Sequence, residues 1–271
     1  MEPSKEFLNQ SHQFWALGRL SSECLGYSDR TGKGQKLRKF ETNEILNLDI
    51  QASFDKHLAE KVSNYLNFRA ILLEEKVKSL LMDRKEAKKI FENLCKNYKA
   101  KCRLPMNKQK GEKRHYSYLT CIVNILTEKS LNESFDDRPG KFTVITDHSN
   151  KLVITLSRWI DGAYPSTLNP TAIWEIKEYY GTTTFGSRVA DGIYESQLDG
   201  YEINIAEEIS KRRIFHYLIV DDLFTWWVKG KSYLCRLIDM MHMKLANEII
   251  FGKEVLTRWP EIVKSWKEVT K

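Results

Sequence analysis

The sequence predicts an α/β fold: a mixed β-sheet flanked by helices, with a helical N-terminal region and further helices at the C-terminus. Three stretches carry that reading. In residues 172–177 a period of two puts Ile173, Glu175 and Lys177 on one face of a strand, and Ala172, Trp174 and Ile176 on the other. The apolar run 152–160, with Ile154 and Leu156 set against Thr155 and Ser157, predicts a second strand ending at Asp161-Gly162. Pro165, Ser166, Asn169 and Pro170 turn the chain between the two. Residues 214–220 are apolar without alternation, as expected of a central strand covered on both faces.

From the start of the chain, residues 4–25 space Phe7, Phe14, Leu17 and Leu20 as an amphipathic helix that stops at Gly26. The loop 26–34 has the glycines and lysine of a phosphate-binding loop. However, five residues separate Gly26 from Gly32, and Gly34 stands where a magnesium-binding Ser or Thr belongs, which argues against nucleotide hydrolysis there. Residues 49–98 are helical, with Ile50, Phe54, Leu58, Val62 and Tyr65 on one stripe and Phe91, Leu94 and Tyr98 on another. A basic run follows, comprising Lys99, Lys101, Arg103, Lys108, Lys110, Lys113 and Arg114, with Glu112 opposing it. It either follows a phosphate backbone or is a solvated linker. Residues 1–115 are thus a helical N-terminal region with a basic linker, and residues 116–271 the sheet-bearing core with its C-terminal helices.

Residues 118–131 turn Leu119, Ile122, Val123 and Leu126 inward on a helix. Residues 136–140 mark a turn, 142–146 a strand, and 148–150 a hairpin connection. After Tyr180 comes a hydroxyl-rich connection, 181–188, from which Ser187 is expected to cap a helix carrying Val189, Ile193, Tyr194 and Leu198. That connection is either a plain strand-to-helix link or a loop that contacts phosphate. Asp221-Asp222 is expected to cap the next helix or else to contribute acids. Leu234, Leu237, Ile238, Met241, Leu245 and Ile249 fall at helical spacing, as a core stripe or a dimer seam.

With 42% hydrophobic residues the chain has enough apolar material for a sizeable core. Its 43 Lys and Arg against 36 Asp and Glu, a net charge of +7, suit a polyanionic partner. The five scattered cysteines have no Cys-x-x-Cys or Cys/His spacing for zinc and read as reduced, mostly buried thiols. No apolar run reaches the length of a membrane span and no signal-peptide core opens the sequence, so a soluble cytoplasmic protein with no membrane partner is expected.

An Asp at a strand end, a gap, and then Glu-x-Lys on the neighbouring strand is the pattern of Asp161 and Glu175-Ile176-Lys177. It resembles the PD-(D/E)xK nucleases, the restriction-endonuclease-like superfamily, over residues 118–222; the family's Pro before the Asp is Ile160 here. The resemblance implies a restriction-endonuclease-like core and a metal-dependent endonuclease that hydrolyses DNA phosphodiester bonds, of restriction or phage-defence type. It implies Asp161, Glu175 and Lys177 as catalytic residues, and Asp161, Glu175 and the carbonyl of Ile176 as ligands of Mg²⁺, for which Mn²⁺ substitutes. Glu128 is a candidate additional acid, because several families of the superfamily place one on the preceding helix. Lys108, Lys110, Lys113 and Arg114, with Thr182, Thr183, Thr184, Ser187 and Arg188, are candidate nucleic-acid contacts. Double-stranded DNA is the expected partner, with a homodimer or a larger defence assembly as the expected organisation.

The chemistry agrees with those residue types. Phosphodiester hydrolysis needs charge neutralised at phosphorus, hydroxide near neutral pH and a stabilised leaving oxygen, all within the reach of a hard cation held by oxygen ligands. A lysine beside the two acids offsets their repulsion and orients the attacking water. Competing with this are an exposed strand ion pair at Glu175 and Lys177, a catalytically inactive nucleic-acid-binding subunit of the same fold, and a helical protein-interaction module.

Overall fold

The computed structural model of the chain describes residues 1–31, 34–109, 112–180 and 186–269. It opens with α1 (His12–Leu25), whose first turn is capped by the Ser11 hydroxyl accepting from the Phe14 amide. A hairpin of β1 (Ser28–Thr31) and β2 (Gly34–Leu37) leads to α2 (Thr42–Leu46). The long α3 (Lys56–Leu72) begins at Asp55, whose carboxylate accepts from the Leu58 amide, and continues through a π-helical turn, Leu73–Val77, into α4 (Lys78–Leu80). Next come α5 (Arg84–Asn97), with a capping box formed by Asp83 and Glu86, and the antiparallel hairpin of β3 (Met106–Gln109) and β4 (Glu112–Tyr116). The helical stretch expected over 49–98 therefore begins only at Lys56 and is interrupted at 81–83, before α5.

The remainder is α6 (Tyr118–Leu131), β5 (Val144–Thr146), β6 (Leu152–Thr155), β7 (Gly162–Tyr164), β8 (Ala172–Glu178), α7 (Ser187–Ser210), β9 (Phe215–Asp221), α8 (Lys231–His242), β10 (Glu248–Phe251) and α9 (Arg258–Val269). A mixed four-stranded sheet, ordered β10-β9-β8-β7, lies at its centre. The strands β8, β9 and β10 run parallel, which requires crossovers, and α7 and α8 supply them. At the edge β7 returns antiparallel along β8.

Helices cover both faces, as parallel strands require. Tyr217 and Ile219 of β9, with Trp174 of β8, pack with α6 and α9. Leu218 and Val220 face the other way, onto α7 and α8. Trp174, Trp259 and Trp266 form one buried aromatic group, Trp174 stacking on Trp266 with ring centroids 5.6 Å apart. The stripe Leu234, Leu237, Ile238, Met241, Leu245 and Ile249 is buried throughout, so it is core and no dimer seam.

The N-terminal helices α1 to α3 have a core of their own around Phe14, Ile45 and Val62. They are also fastened to the sheet-bearing part. Arg69 on α3 pairs with Asp239 on α8 at 2.7 Å, and Leu73, Val77 and Leu81 share one apolar cluster with β9, α8 and β10. Helix α5 packs through Phe91 beside Tyr118 on α6. No described helix is long and apolar enough to cross a membrane. All five cysteines are free thiols, but only Cys121 and Cys235 are buried, which corrects the expectation of mostly buried thiols.

Two local expectations change. The strand expected over 152–160 stops at Thr155: the Leu156 amide still donates to the Thr143 carbonyl, but the Ser157 amide turns to the Glu202 carboxylate. Asp161 consequently lies just before β7 instead of at the end of the β6 strand. Ser187 does not cap α7: the cap is Gly186, at φ 119°, with Ser187 as the first helical residue.

Candidate active site

Strand β8 outruns its neighbour. Gly162, Ala163 and Tyr164 pair with Trp174, Ile173 and Ala172, so beyond Trp174 the β7-side edge of β8 has no strand partner. Asp161 fills that gap, its Oδ2 accepting the Ile176 amide at 2.8 Å, while the Asp161 amide donates to Glu175 Oε1 at 3.2 Å. An amide and carbonyl of one strand residue point to the same edge, so the Ile176 carbonyl faces the same gap. This fixes Asp161, Glu175 and Ile176 against one another through backbone geometry.

Glu175 and Lys177 point toward α7, and both are buried: Glu175 is 0% exposed and Lys177 7%. This rules out the exposed strand ion pair. Lys177 Nζ lies 3.2 Å from Glu175 Oε2 and 3.6 Å from Glu195 Oε2. Burial is the largest single influence and pushes the ammonium down, yet the Glu175 charge, the Asp161 charge and the hydrogen bond to Glu175 together outweigh it, and the group ends above its ordinary range. Gly192 of α7 makes the room, since a methyl group added there would meet the Tyr179 hydroxyl at 2.8 Å and the Lys177 side chain at 3.5 Å.

Sequence reasoning missed three members of this group. Arg158, in the irregular stretch before Asp161, places Nη1 3.0 Å from Glu175 Oε2 and 2.8 Å from Asp199 Oδ2, and Nη2 3.4 Å from Glu195 Oε2. Glu195 and Asp199 are four residues apart on α7, so they share a helix face, and that spacing is the one signal that could have found them. Asp199 is fully buried and its Oδ1 has no hydrogen-bond partner among the described residues. Desolvation, then the Glu175 charge, raises it to about 7 against the pull of Arg158. Asp161 also rises to about 7, from desolvation first and Glu175 second, opposed by the Ile176 amide, Lys177 and Arg158. By surface area Asp161 is exposed, so water reaching its open side offsets part of that desolvation. His216, on the same face of β9, is buried neutral, its Nδ1 at 2.8 Å from the Leu245 carbonyl and its pKa lowered to about 4 by burial.

The other candidates lie elsewhere. The Glu128 carboxylate accepts the Tyr98 hydroxyl at 2.8 Å and the amides of Lys101 and Cys102, so it clamps the loop after α5 instead of joining Asp161 and Glu175. Lys113 and Arg114 are exposed on β4, and the backbone of Lys108 lies in β3 while its side chain is outside the described residues. Ser187 and Arg188 are exposed on the first turn of α7, whereas Lys110, Thr182, Thr183 and Thr184 lie outside the described residues.

Among the described residues no three or more His, Cys, Asp and Glu side chains form a metal-binding group. The donor set nonetheless fits a hard divalent cation. Asp161, Glu175, Glu195 and Asp199 oppose Arg158 and Lys177, four carboxylates against two cations, an excess of two negative charges when all are ionised. The buried, unpartnered Asp199 oxygen records the same excess. Oxygen donors without thiolate or imidazole select Mg²⁺ or Mn²⁺.

No curated protein and no solved structure matches the chain. Residues 1–76 match a family model described as Domain of unknown function (DUF7690). Residues 82–266, more than half of the chain and the whole of the acid cluster, match another, and the chain belongs to that family, described as Domain of unknown function (DUF7687).

Proposed function

We propose that this chain is a metal-dependent endonuclease that hydrolyses DNA phosphodiester bonds, with a restriction-endonuclease-like core and a role in restriction or phage defence. The observation that carries the reading is the meeting of Asp161, Glu175 and Lys177 at the β7–β8 edge, with the Ile176 backbone turned into the same gap. Support also comes from element order, since β7, β8, α7 and β9 follow one another as the Asp and Glu-x-Lys pattern needs, with α6 earlier in the chain and the β5–β6 hairpin between.

Asp161, Glu175 and the Ile176 carbonyl would hold Mg²⁺ or Mn²⁺. When bound, such an ion supplies charge neutralisation, hydroxide near neutral pH and a stabilised leaving oxygen. The chain's own residues do the rest. Lys177, anchored on Glu175 and given space by Gly192, orients the attacking water and balances charge on the scissile phosphate. Arg158 bridges Glu175 and Asp199 and offsets their mutual repulsion. Exposed Lys113 and Arg114 on the β3–β4 hairpin and Arg188 at the start of α7 are suited to backbone phosphates, which position a duplex without reading its sequence.

The test is cleavage of plasmid DNA by the full chain with Mg²⁺ or Mn²⁺, against Glu175→Gln and Lys177→Met. Cleavage by the unaltered protein, lost in both variants while folding and DNA binding remain, supports the reading. Unimpaired cleavage by Lys177→Met removes it. A second reading, a nucleic-acid-binding subunit of this fold without cleavage, is favoured by one observation: Arg158 already occupies the Glu175 and Asp199 carboxylates. Salt-dependent duplex binding with no cleavage in either metal would select it.

A further inference from the structure

Helix α7 is apolar on two opposite sides. Its inner side buries Val189, Ile193, Ile203 and Ala206. Its outer side carries Tyr194, Leu198, Tyr201, Ile205 and Ile209, all between 44% and 59% exposed. An ordinary surface helix is polar there. The outer residues advance by four, three, four and four, so they form one straight stripe, roughly 22 Å long at 1.5 Å per residue. Steps of three and four are the seam spacing of paired helices.

We propose that α7 pairs antiparallel with α7 of a second copy of this chain, across a two-fold axis beside Tyr201. A two-fold contact demands a surface complementary to itself, so that if one residue meets a second, the second meets the first. The stripe meets that demand because it is nearly symmetric about its middle. Antiparallel pairing sets Tyr194 against the partner's Ile209, Leu198 against the partner's Ile205, and Tyr201 against the partner's Tyr201. Charge agrees at the ends. Exposed Asp191 reaches the turn at the partner's Lys211 and the partner's Arg212, and the Arg212 guanidinium donates to the carbonyls of Thr146 and Asp147, neutral acceptors that do not cancel its charge. Antiparallel helices also set each positive dipole end beside a negative one, which a parallel pair would not.

The size of the stripe sets the strength. Half-exposed side chains of this kind leave on the order of 100 Å² each, hence on the order of 500 Å² per subunit, below the roughly 800 Å² per partner of a standard interface. The dimer is therefore concentration-dependent. It stands or falls independently of the nuclease reading, since it uses none of the acid-cluster side chains.

Sedimentation velocity on the full chain from low to high micromolar concentration should show the mass rising from one copy toward two. Leu198→Glu/Ile205→Glu should remain a monomer throughout with an unchanged unfolding midpoint. Orientation is read in a background of Cys24→Ser and Cys95→Ser, which removes the two exposed thiols. Tyr194→Cys mixed with Ile209→Cys should give a disulfide between the two different variants, and neither variant alone should give one with itself. A monomer at every concentration overturns the proposal and leaves the stripe to a different protein. A dimer that survives the double charge, a double variant that unfolds, or self-disulfides in the single-variant samples overturns it equally.

Discussion

Arg158 holds its guanidinium 2.8 Å from Asp199, a carboxylate that is fully buried on the inner side of α7. The same guanidinium reaches Glu175, so one cation joins the sheet to its crossover helix. Arg158→Met would leave both acids without it. Breaking a buried pair in this way costs about 3–5 kcal/mol, and a cation that binds only the folded chain restores part of it. The unfolding midpoint of Arg158→Met should fall further in a chelator than in Mn²⁺. An equal fall in both media would show that no divalent ion enters the cluster.

Gly162 begins β7 directly beneath Trp174. A methyl group there would come within 2.0 Å of the indole, which is itself locked between Trp259 and Trp266. Gly162→Ala should therefore cost about 1–3 kcal/mol by overpacking. Because Asp161 precedes it in the chain, the variant should also lose any divalent-dependent rise in unfolding temperature. A variant with unchanged melting would mean that β7 can shift freely.

Glu128 belongs to the loop it holds. Glu128→Ala removes the acceptor shared by Tyr98, Lys101 and Cys102 and should destabilise the chain by about 1.5–3 kcal/mol, the range for hydrogen bonds to a charged group. Cleavage measured well below the new melting temperature should be unaffected. Lost cleavage in a well-folded variant would return Glu128 to the site.

Asp221 accepts the Met82 and Asp222 amides at 2.8 Å each and also the Tyr180 hydroxyl, and burial raises it to about 7. The folded chain thus keeps a proton that the unfolded chain releases near the ordinary value of 3.8. The stability contributed by that proton is complete below the ordinary value and is lost as pH climbs through about 7. Asp221→Asn has nothing to lose over that interval. Urea unfolding at pH 4.5 and 7.5 should show the variant gaining on the unaltered chain at the higher pH. A constant difference would place the titration elsewhere.

Much of the frame was legible because it is written in local periodicity. The helix expected over 118–131 is Tyr118–Leu131, and the alternation in β8 correctly separates Trp174 from Glu175 and Lys177. The apolar run at 214–220 is a strand with packed residues on both faces. Legibility failed where distant groups decide. No pattern near Arg158 says that Asp199, forty-one residues later, will pair with it, or that Glu202 will take the Ser157 amide where the strand ends. Gly192 reads as a weak point in a helix until the Lys177 stem is found lying against it. Glu128 matched a family position, yet its surroundings are three donors from the loop that follows α5.

The apolar cluster that joins Leu73, Val77 and Leu81 to Leu218, Leu237 and Ile249 bears on how the chain is made. Synthesis delivers the first three residues well before the others exist. At about 5–20 residues per second, the gap from Val77 to Ile249 lasts roughly 9–34 s. Throughout that interval Leu73, Val77 and Leu81 lack their partners from β9, α8 and β10, and the nascent chain carries a greasy segment past the ribosome exit that folding cannot fully cover until those later residues have emerged.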